Sequence, residues 1–501
     1  MRRPLHPILL TLSTLLAVSL HGCMVGPDYT KPDLVTNDSW HSSLVAGLEK
    51  DKDGPGLWWK EFNDPILDTL IERAQTNNLD LRTMMTRVEF ARAEYGIEES
   101  FLLPSVGANG YAVWYRADQG ISPVPGVFNP TGDAYELDLA FSWEIDVWGR
   151  VRRQAQAAQQ NFYAQIENWR DFLITVRAGV ADSYISYRTY RRTVELHELA
   201  VAAAELGLDL STQAYENGAL DLRVVLDNSS TLNTLQAAVY EWEARAQNEL
   251  NQISVLLGET PGQIAELIGP GGKIPIPPST IGVAVPAEVI RQRPDVRAAE
   301  RMLASAVATL GVAEAELLPT FTLTGSLGYQ SDGTTSLLTW ANRAWNIGPS
   351  FSWSLLNWGR VQNQISAQKA VVQTELLGYE STVLKAYQEV ENALVNFASS
   401  ELSRRNIQRA RDDSLESLML SSSAYESGVE DVQSVIASEL QFIQMEFELI
   451  EQESAVAMGA VSIYKSTGGD WSPVMPSADG PVPIKSKASQ SVVDANSGGT
   501  S

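Results

Sequence analysis

The sequence predicts a mostly helical chain with a small β part, built as two copies of one plan. Three observations carry this. Blocks of the chain recur about 210 residues apart; two long stretches, 151–260 and 359–472, contain no proline; and short segments ahead of them alternate between apolar and polar residues. Proline-free runs with apolar residues three and four apart are the mark of packed helices, and period-two alternation is the mark of strands with two unlike faces.

The chain starts with Arg2 and Arg3, followed by a 13-residue apolar run from Ile8 to Leu20. That run is too short to span a bilayer and has the length of a signal-peptide core. Gly22 then precedes Cys23, the only cysteine. A small residue before a sole cysteine, just past such a core, resembles a bacterial lipoprotein cleavage site. We expect residues 1–22 to be removed and Cys23 to be acylated, each buried CH₂ contributing about 0.8 kcal/mol of membrane anchoring. Met24 at the next position resembles an outer-membrane address.

A net charge of −24 argues against nucleic-acid backbones, which require clustered Lys and Arg. One cysteine excludes an internal disulfide framework. Two of the four histidines, His6 and His21, fall in the leader, leaving His41 and His197, too few for the usual triad or His-based metal chemistry. No G-x-S-x-G, HExxH or G-x-G-x-x-G occurs, and Gly271-Gly272-Lys273 is followed by Ile274 where a phosphate loop needs Ser or Thr. The sequence predicts no enzyme and no cofactor.

The duplication sets the organisation. The segment from Asn78 to Ser105 aligns with Arg293 to Thr320 at an offset of 215; FSWEIDVWGR from Phe141 aligns with FSWSLLNWGR from Phe351 at 210; AYENG from Ala214 aligns with AYESG from Ala424 at 210. The first copy therefore has a connecting loop five residues longer. We expect an N-terminal arm over 23–62, a first repeat over 63–268, a Pro/Gly-rich linker over 269–284, a second repeat over 285–470, and a disordered tail over 471–501.

In each repeat a helix ends near a proline (Pro104, Pro319), two strands follow, and a long helix starts at Trp-Gly-Arg. In the first long helix, Phe162, Ile166, Trp169, Leu173, Val176, Val180, Tyr184 and Tyr187 form one seam. Arg150 to about Asn217 would span roughly 100 Å at 1.5 Å per residue. Gly218 and Gly428 supply the left-handed residue that closes a helix, and Asp221 and Asp431, three positions on, cap the next one. Each repeat thus ends in a helical hairpin tipped by glycine.

The strands suit lipid on one side. Leu137, Leu139, Phe141, Trp143, Ile145 and Val147 alternate with Asp138, Ala140, Ser142, Glu144 and Asp146. Trp345, Ile347, Phe351, Trp353 and Leu355, and Phe321, Leu323, Leu327 and Tyr329, repeat the pattern opposite small polar residues. Nine to eleven residues is the length of a tilted membrane strand. Trp148 and Trp358, at the strand-to-helix junctions, suit a membrane interface or simple packing. Four strands cannot close a barrel, and lipid does not tolerate open edges. Eight strands leave an interior filled by side chains, and twelve leave a lumen. A trimer is therefore the smallest conducting assembly expected.

At this point the residues resemble a known family. CMVGPDY (from Cys23), LWWKEFNDPILDTLI (from Leu57), VPAEVIRQRPDVRAAE (from Val285) and both FSW…WGR blocks are similar to segments of outer-membrane efflux proteins, the TolC-like channels of OprM/NodT type. The resemblance implies a homotrimer with a twelve-stranded barrel in outer-membrane lipid and a periplasmic tunnel of twelve helical limbs. It implies a membrane-fusion adaptor and an inner-membrane pump, of RND type, as partners, and passive conduction of drugs or other toxic small molecules. Adaptor-facing tip residues would be Tyr215, Gly218, Ala219 and Leu220, with Tyr425, Gly428 and Val429. Relatives often carry acidic gate residues six and nine positions after the second glycine; here these are Ser434 and Ala437. Glu430 and Asp431 would then supply charge at the mouth, with Ser434 beside them. Two other readings stay open: an exit duct for type I protein secretion, and a lipid-anchored periplasmic coiled-coil scaffold.

Overall fold

The structure, a computed structural model, describes residues 24–33, 39–42, 44–50, 56–116 and 131–469. The leader, Gly22, Cys23, the longer loop of the first repeat and the tail lie outside the described residues.

The two repeats are built alike. Helix α1 (Pro65–Asn77) is capped by Asp64, which accepts from the Ile66 and Leu67 amides. Helix α2 (Leu79–Ser100) leads to β2 (Ser105–Arg116) and β3 (Thr131–Ile145), then to α3 (Arg150–Glu216) and α4 (Leu222–Leu256). A short helix α5 (Ala265–Ile268) and strand β4 (Ile281–Val283) follow; β4 pairs in parallel with β1 (Leu48–Lys50) of the arm. The second repeat has α6 (Pro286–Gln292), α7 (Pro294–Ala315), β5 (Thr320–Ser331), β6 (Arg343–Ser352), α8 (Arg360–Glu426) and α9 (Val432–Ser466). The long limbs are 67 residues in both repeats and the return limbs 35 in both. No described helix is long and apolar enough to cross a membrane.

The seam of α3 behaves as its spacing demands: Trp169, Leu173, Val176, Val180, Tyr184 and Tyr187 are buried, and Phe162 and Ile166 half-buried. The main core sits at mid-height, where the arm, α1, α3, α4, α8 and α9 meet. Trp58 stacks on Tyr464 at 5.3 Å, and the Tyr464 hydroxyl donates to Glu61 at 2.7 Å. Buried Arg188 ties the linker down by donating to the carbonyls of Ile268 and Gly271.

Two differences from the sequence reading stand out. Strand β3 begins at Thr131, six residues before Leu137, and ends at Ile145, while its counterpart β6 stops at Ser352 and leaves Trp353 and Leu355 outside the ladder. The β1–β4 pair was not anticipated, because three-residue strands in a Pro/Gly-rich stretch carry no periodicity.

Candidate membrane sheet and hairpin tips

The four strands form one antiparallel sheet in the order β2-β3-β5-β6. Register places apolar residues in rows: Val106 opposite Phe141, Leu139 opposite Leu327, Leu327 opposite Trp345, and Phe321 opposite Phe351. The other face carries Ser142 opposite Thr324, Ser326 opposite Asn346 and Thr322 opposite Ser350. Nothing in the described chain covers the apolar face: Val106, Leu139, Leu327, Trp345, Ile347 and Phe351 are all exposed. The face carries an apolar depression of ≈ 580 Å³ bordered by Val106, Leu139, Phe141, Leu327, Trp345 and Ile347, and the Phe141 ring lies over Gly325, where a Cβ would have no room. A soluble sheet would bury such a face on helices; this one is presented outward, with small hydroxyl and amide groups behind it.

At the foot of the sheet the strands pass into the long helices. Arg150 holds Glu144 through two bonds of 2.9 and 2.6 Å, and Asp146 accepts from the Val151 and Arg152 amides. Asp146 thereby satisfies two of the orphan donors at the start of α3, whose N-cap, Gly149, has no side chain. Trp148 donates from Nε1 to the Pro319 carbonyl at 2.9 Å, joining the two repeats.

The hairpin tips lie at the far end of the long limbs, and they are superposable in their bonding. In the first, the Gly218 amide donates to Tyr215 and the Ala219 amide to Ala214; in the second, Gly428 donates to Tyr425 and Val429 to Ala424. Both glycines have φ of +72°, and a Cβ on either would meet nothing within 4 Å, so backbone conformation alone selects them. Asp221 accepts from the Arg223 amide at 2.9 Å; the Arg223 side chain, and then that bond, hold its carboxyl below the usual range. Asp431 accepts from both the amide and the hydroxyl of Ser434, at 2.9 and 3.1 Å. Tyr215, Tyr425, Ala219 and Val429 are exposed, and Leu220 is half-buried. Glu430 is exposed beside the cap. Behind the tip, Ser438 donates to Ser421 across the hairpin at 3.1 Å, a cross-limb bond the sequence reading missed. No group of His, Cys, Asp and Glu among the described residues is arranged to hold a metal ion.

An apolar-faced antiparallel sheet standing on helical hairpins of this length defines a class: an outer-membrane conduit with an extension on the other side of the membrane. Comparison with known proteins agrees. The model of the family "Outer membrane efflux protein" matches residues 70–259 and 285–469. The chain is 28% identical to Nodulation protein T of Rhizobium leguminosarum bv. trifolii over 464 residues, covering 91% of this chain and 96% of that protein. It is 29% identical to outer membrane protein OprJ of Pseudomonas aeruginosa over 468 residues, covering 91% and 95%. It is 26% identical to the toluene efflux pump outer membrane protein TtgF of Pseudomonas putida over 476 residues, covering 92% and 96%. The solved outer-membrane channel OprN superposes with a TM-score of 0.82 at 29% identity, over 90% of this chain and all of that one. The chain belongs to the outer membrane efflux protein family, and it is an outer-membrane efflux channel. The family is one of ducts, not of enzymes.

Proposed function

We propose that three copies of this chain close a twelve-stranded barrel in the outer membrane and a periplasmic tunnel of twelve helical limbs, and that the assembly passively conducts small toxic molecules delivered by a periplasmic membrane-fusion adaptor and an inner-membrane pump of RND type. The observation that carries the reading is the sheet itself: four strands, an uncovered apolar band on one face, and, among the described residues, two bare edges, β2 and β6. Lipid satisfies neither edge, so closure requires further strands. Twelve are the fewest that leave an aqueous interior, and the hydroxyl and amide face of the sheet suits that interior.

Several observations support the finer assignments. The Val25 amide donates to the Trp148 carbonyl at the foot of the sheet, at 2.9 Å, which favours an acyl anchor on Cys23 at the same membrane level. The exposed, locally bonded tips favour Tyr215, Gly218, Ala219, Leu220, Tyr425, Gly428 and Val429 as the adaptor-facing surface. At the mouth, Asp431 and Ser434 bond each other, which leaves Glu430 as the carboxylate available for a cation-favouring gate. The name of the relative TtgF, for toluene efflux, favours small organic compounds over secreted proteins, and the apolar sheet face disfavours a soluble scaffold.

The test is a deletion strain scored for accumulation of a fluorescent drug, alongside planar-bilayer recordings of detergent-extracted protein. Raised accumulation restored by the gene, with discrete conductance steps, supports the duct. Salt-extractable protein without conductance overturns it.

A further inference from the structure

The loop between β5 and β6, residues 332–342, lies at the end of the sheet remote from the helices. It is tied by its own polar groups. The Ser336 carbonyl accepts from the amide and the hydroxyl of Thr339, at 3.0 and 2.8 Å, and from the Asn342 side-chain amide at 2.8 Å. Ser331 shares a hydroxyl bond of 2.7 Å with Ser336 and accepts from the Gly333 amide and from Asn342, each at 3.2 Å. These bonds fix the loop with its large apolar side chains held out: Leu338 is 68% exposed and Trp340 74%. Ordering a loop costs conformational entropy, and water offers no return for displaying apolar groups.

Arg343, the first residue of β6, is exposed beside them. Its guanidinium lies 3.9 Å over the Trp340 ring and donates to the Trp340 carbonyl at 3.2 Å. Among the described residues it makes no ion pair; Asp332, the one acid of the loop, is exposed and does not bond it. A guanidinium stacked on an indole is oriented in advance, and its free N–H edge matches the oxygens of a phosphate.

The level of this group indicates its partner. Strand β6 is ten residues long, about one hydrocarbon thickness for a tilted strand. Its Ser352 end leads to α8, so Arg343 stands at the opposite margin of the apolar band. By alternation it shares a face with Trp345 and Ile347, both exposed. Cations and indoles at such a margin meet lipid headgroups. The outward leaflet of an outer membrane is rich in phosphorylated glycolipid, whose anionic groups attract such a cation.

We propose that Arg343, stacked on Trp340, binds the phosphate of an outer-leaflet glycolipid whose acyl chains lie along Leu338, Trp345 and Ile347. The proposal rests on the barrel reading above, in which the apolar face meets lipid, and adds a defined lipid site to it. The duplication sets the stoichiometry. At an offset of 210, Arg343 falls on Asp133 and Trp345 on Tyr135, and the Asp133 carboxylate accepts from the Tyr135 hydroxyl at 3.4 Å. The first repeat thus carries the opposite charge at the equivalent position, and one tightly held lipid is expected per copy.

The test incorporates the full-length protein into phospholipid bilayers containing diphosphoryl lipid A, and counts by native mass spectrometry the lipid A that survives gentle extraction. Wild type should keep one per copy. Arg343→Gln should keep roughly tenfold less, the loss expected for one charge-assisted contact. Arg343→Lys, which keeps the charge without the planar fork, should fall between the two. Lipid A stripped of its phosphates should be retained by wild type no better than intact lipid A is by Arg343→Gln. Equal retention by wild type and Arg343→Gln overturns the site. So does release of lipid A by inorganic phosphate alone, which would make it a general anion site. Planar-bilayer conductance separates the two readings: inserted, conducting protein that shows no preference for lipid A overturns this site only, whereas protein that never inserts overturns the barrel as well.

Discussion

Arg153, buried at the foot of α3, donates to the Asp28 carboxylate at 2.8 Å, and the same guanidinium holds the carbonyls of Val25 and Gly26 at 3.2 Å each. The arm is thus pinned one turn below the sheet, with Gly26 pressed on α7: a Cβ there would lie 2.5 Å from the Gly311 Cα. A single buried cation fixes the course of the arm from Val25 to Asp28.

Arg153→Met should therefore free the arm. It strips two carbonyls of their donor, and a loss of about 2–4 kcal/mol is expected. Asp28 is solvent-exposed, so Asp28→Asn should cost under about 1 kcal/mol. Hydrogen exchange of residues 24–31, with the melting temperature alongside, checks both; equal effects from the two variants would contradict the clamp. Gly26→Ala should resemble Arg153→Met, since it meets backbone and not a flexible side chain.

At the tips, Gly218→Ala and Gly428→Ala should each cost about 1–2 kcal/mol locally, because both sites are left-handed and neither is crowded. Asp431→Ala removes a cap worth about 1 kcal/mol. These losses should appear as faster amide exchange within the first turns of α4 and α9 and leave the mid-height core unchanged. Val429→Asp, which disturbs no bond, should instead lower drug efflux while exchange stays normal. If Val429→Asp were silent and the glycine variants alone impaired efflux, the tips would be turns and nothing more.

Much of this was legible in the sequence for a physical reason. Alternation, the α3 seam and the glycine–aspartate tips are local patterns whose period or backbone need is written in adjacent residues. The strand ends were not legible, because Trp143 joins β3 only when β5 lies alongside, whereas Trp353, in an identical FSW block, has no such neighbour. Arg153 was equally hidden: nothing around Gln154 announces that an arm 125 residues earlier in the chain will lie across it.

The two faces of the sheet should answer differently to charge. Leu139→Lys places a cation on the apolar face near mid-strand, where about 2–4 kcal/mol is expected. Ser326→Lys, on the opposite face beside Asn346, should be tolerated in folding and shift conductance toward anions. Heat-modifiable gel migration scores folding, and reversal potentials in a salt gradient score selectivity. Equal tolerance at both positions would contradict the assignment of lipid to the Leu139 face.

Two carboxyls on one side of α3 give the helical part a pH dependence of defined sign. Burial pushes Asp182 up to about 6, with Glu249 adding to the rise and Lys465 opposing it. Burial, then Asp295, does the same to Asp171, against Arg293 and Lys465. Each group binds its proton more tightly folded than unfolded, so the folded state gains from protonation. The contribution of this pair should be greatest below about pH 4, fall as pH rises through about 6, and level off above that. A rise of about two pKa units corresponds to a loss on the order of 3 kcal/mol for each group. Burial also raises Glu249 and Glu453, so the slope is shared, and the part that belongs to Asp182 is read from its variant. Asp182→Asn keeps the shape and removes the charge. It should raise the melting temperature at pH 7.5, leave it little changed at pH 5, and flatten the slope between. A variant that destabilises at both pH values would mean that the Asp182 carboxylate is paired after all, and the sign argued here would be wrong.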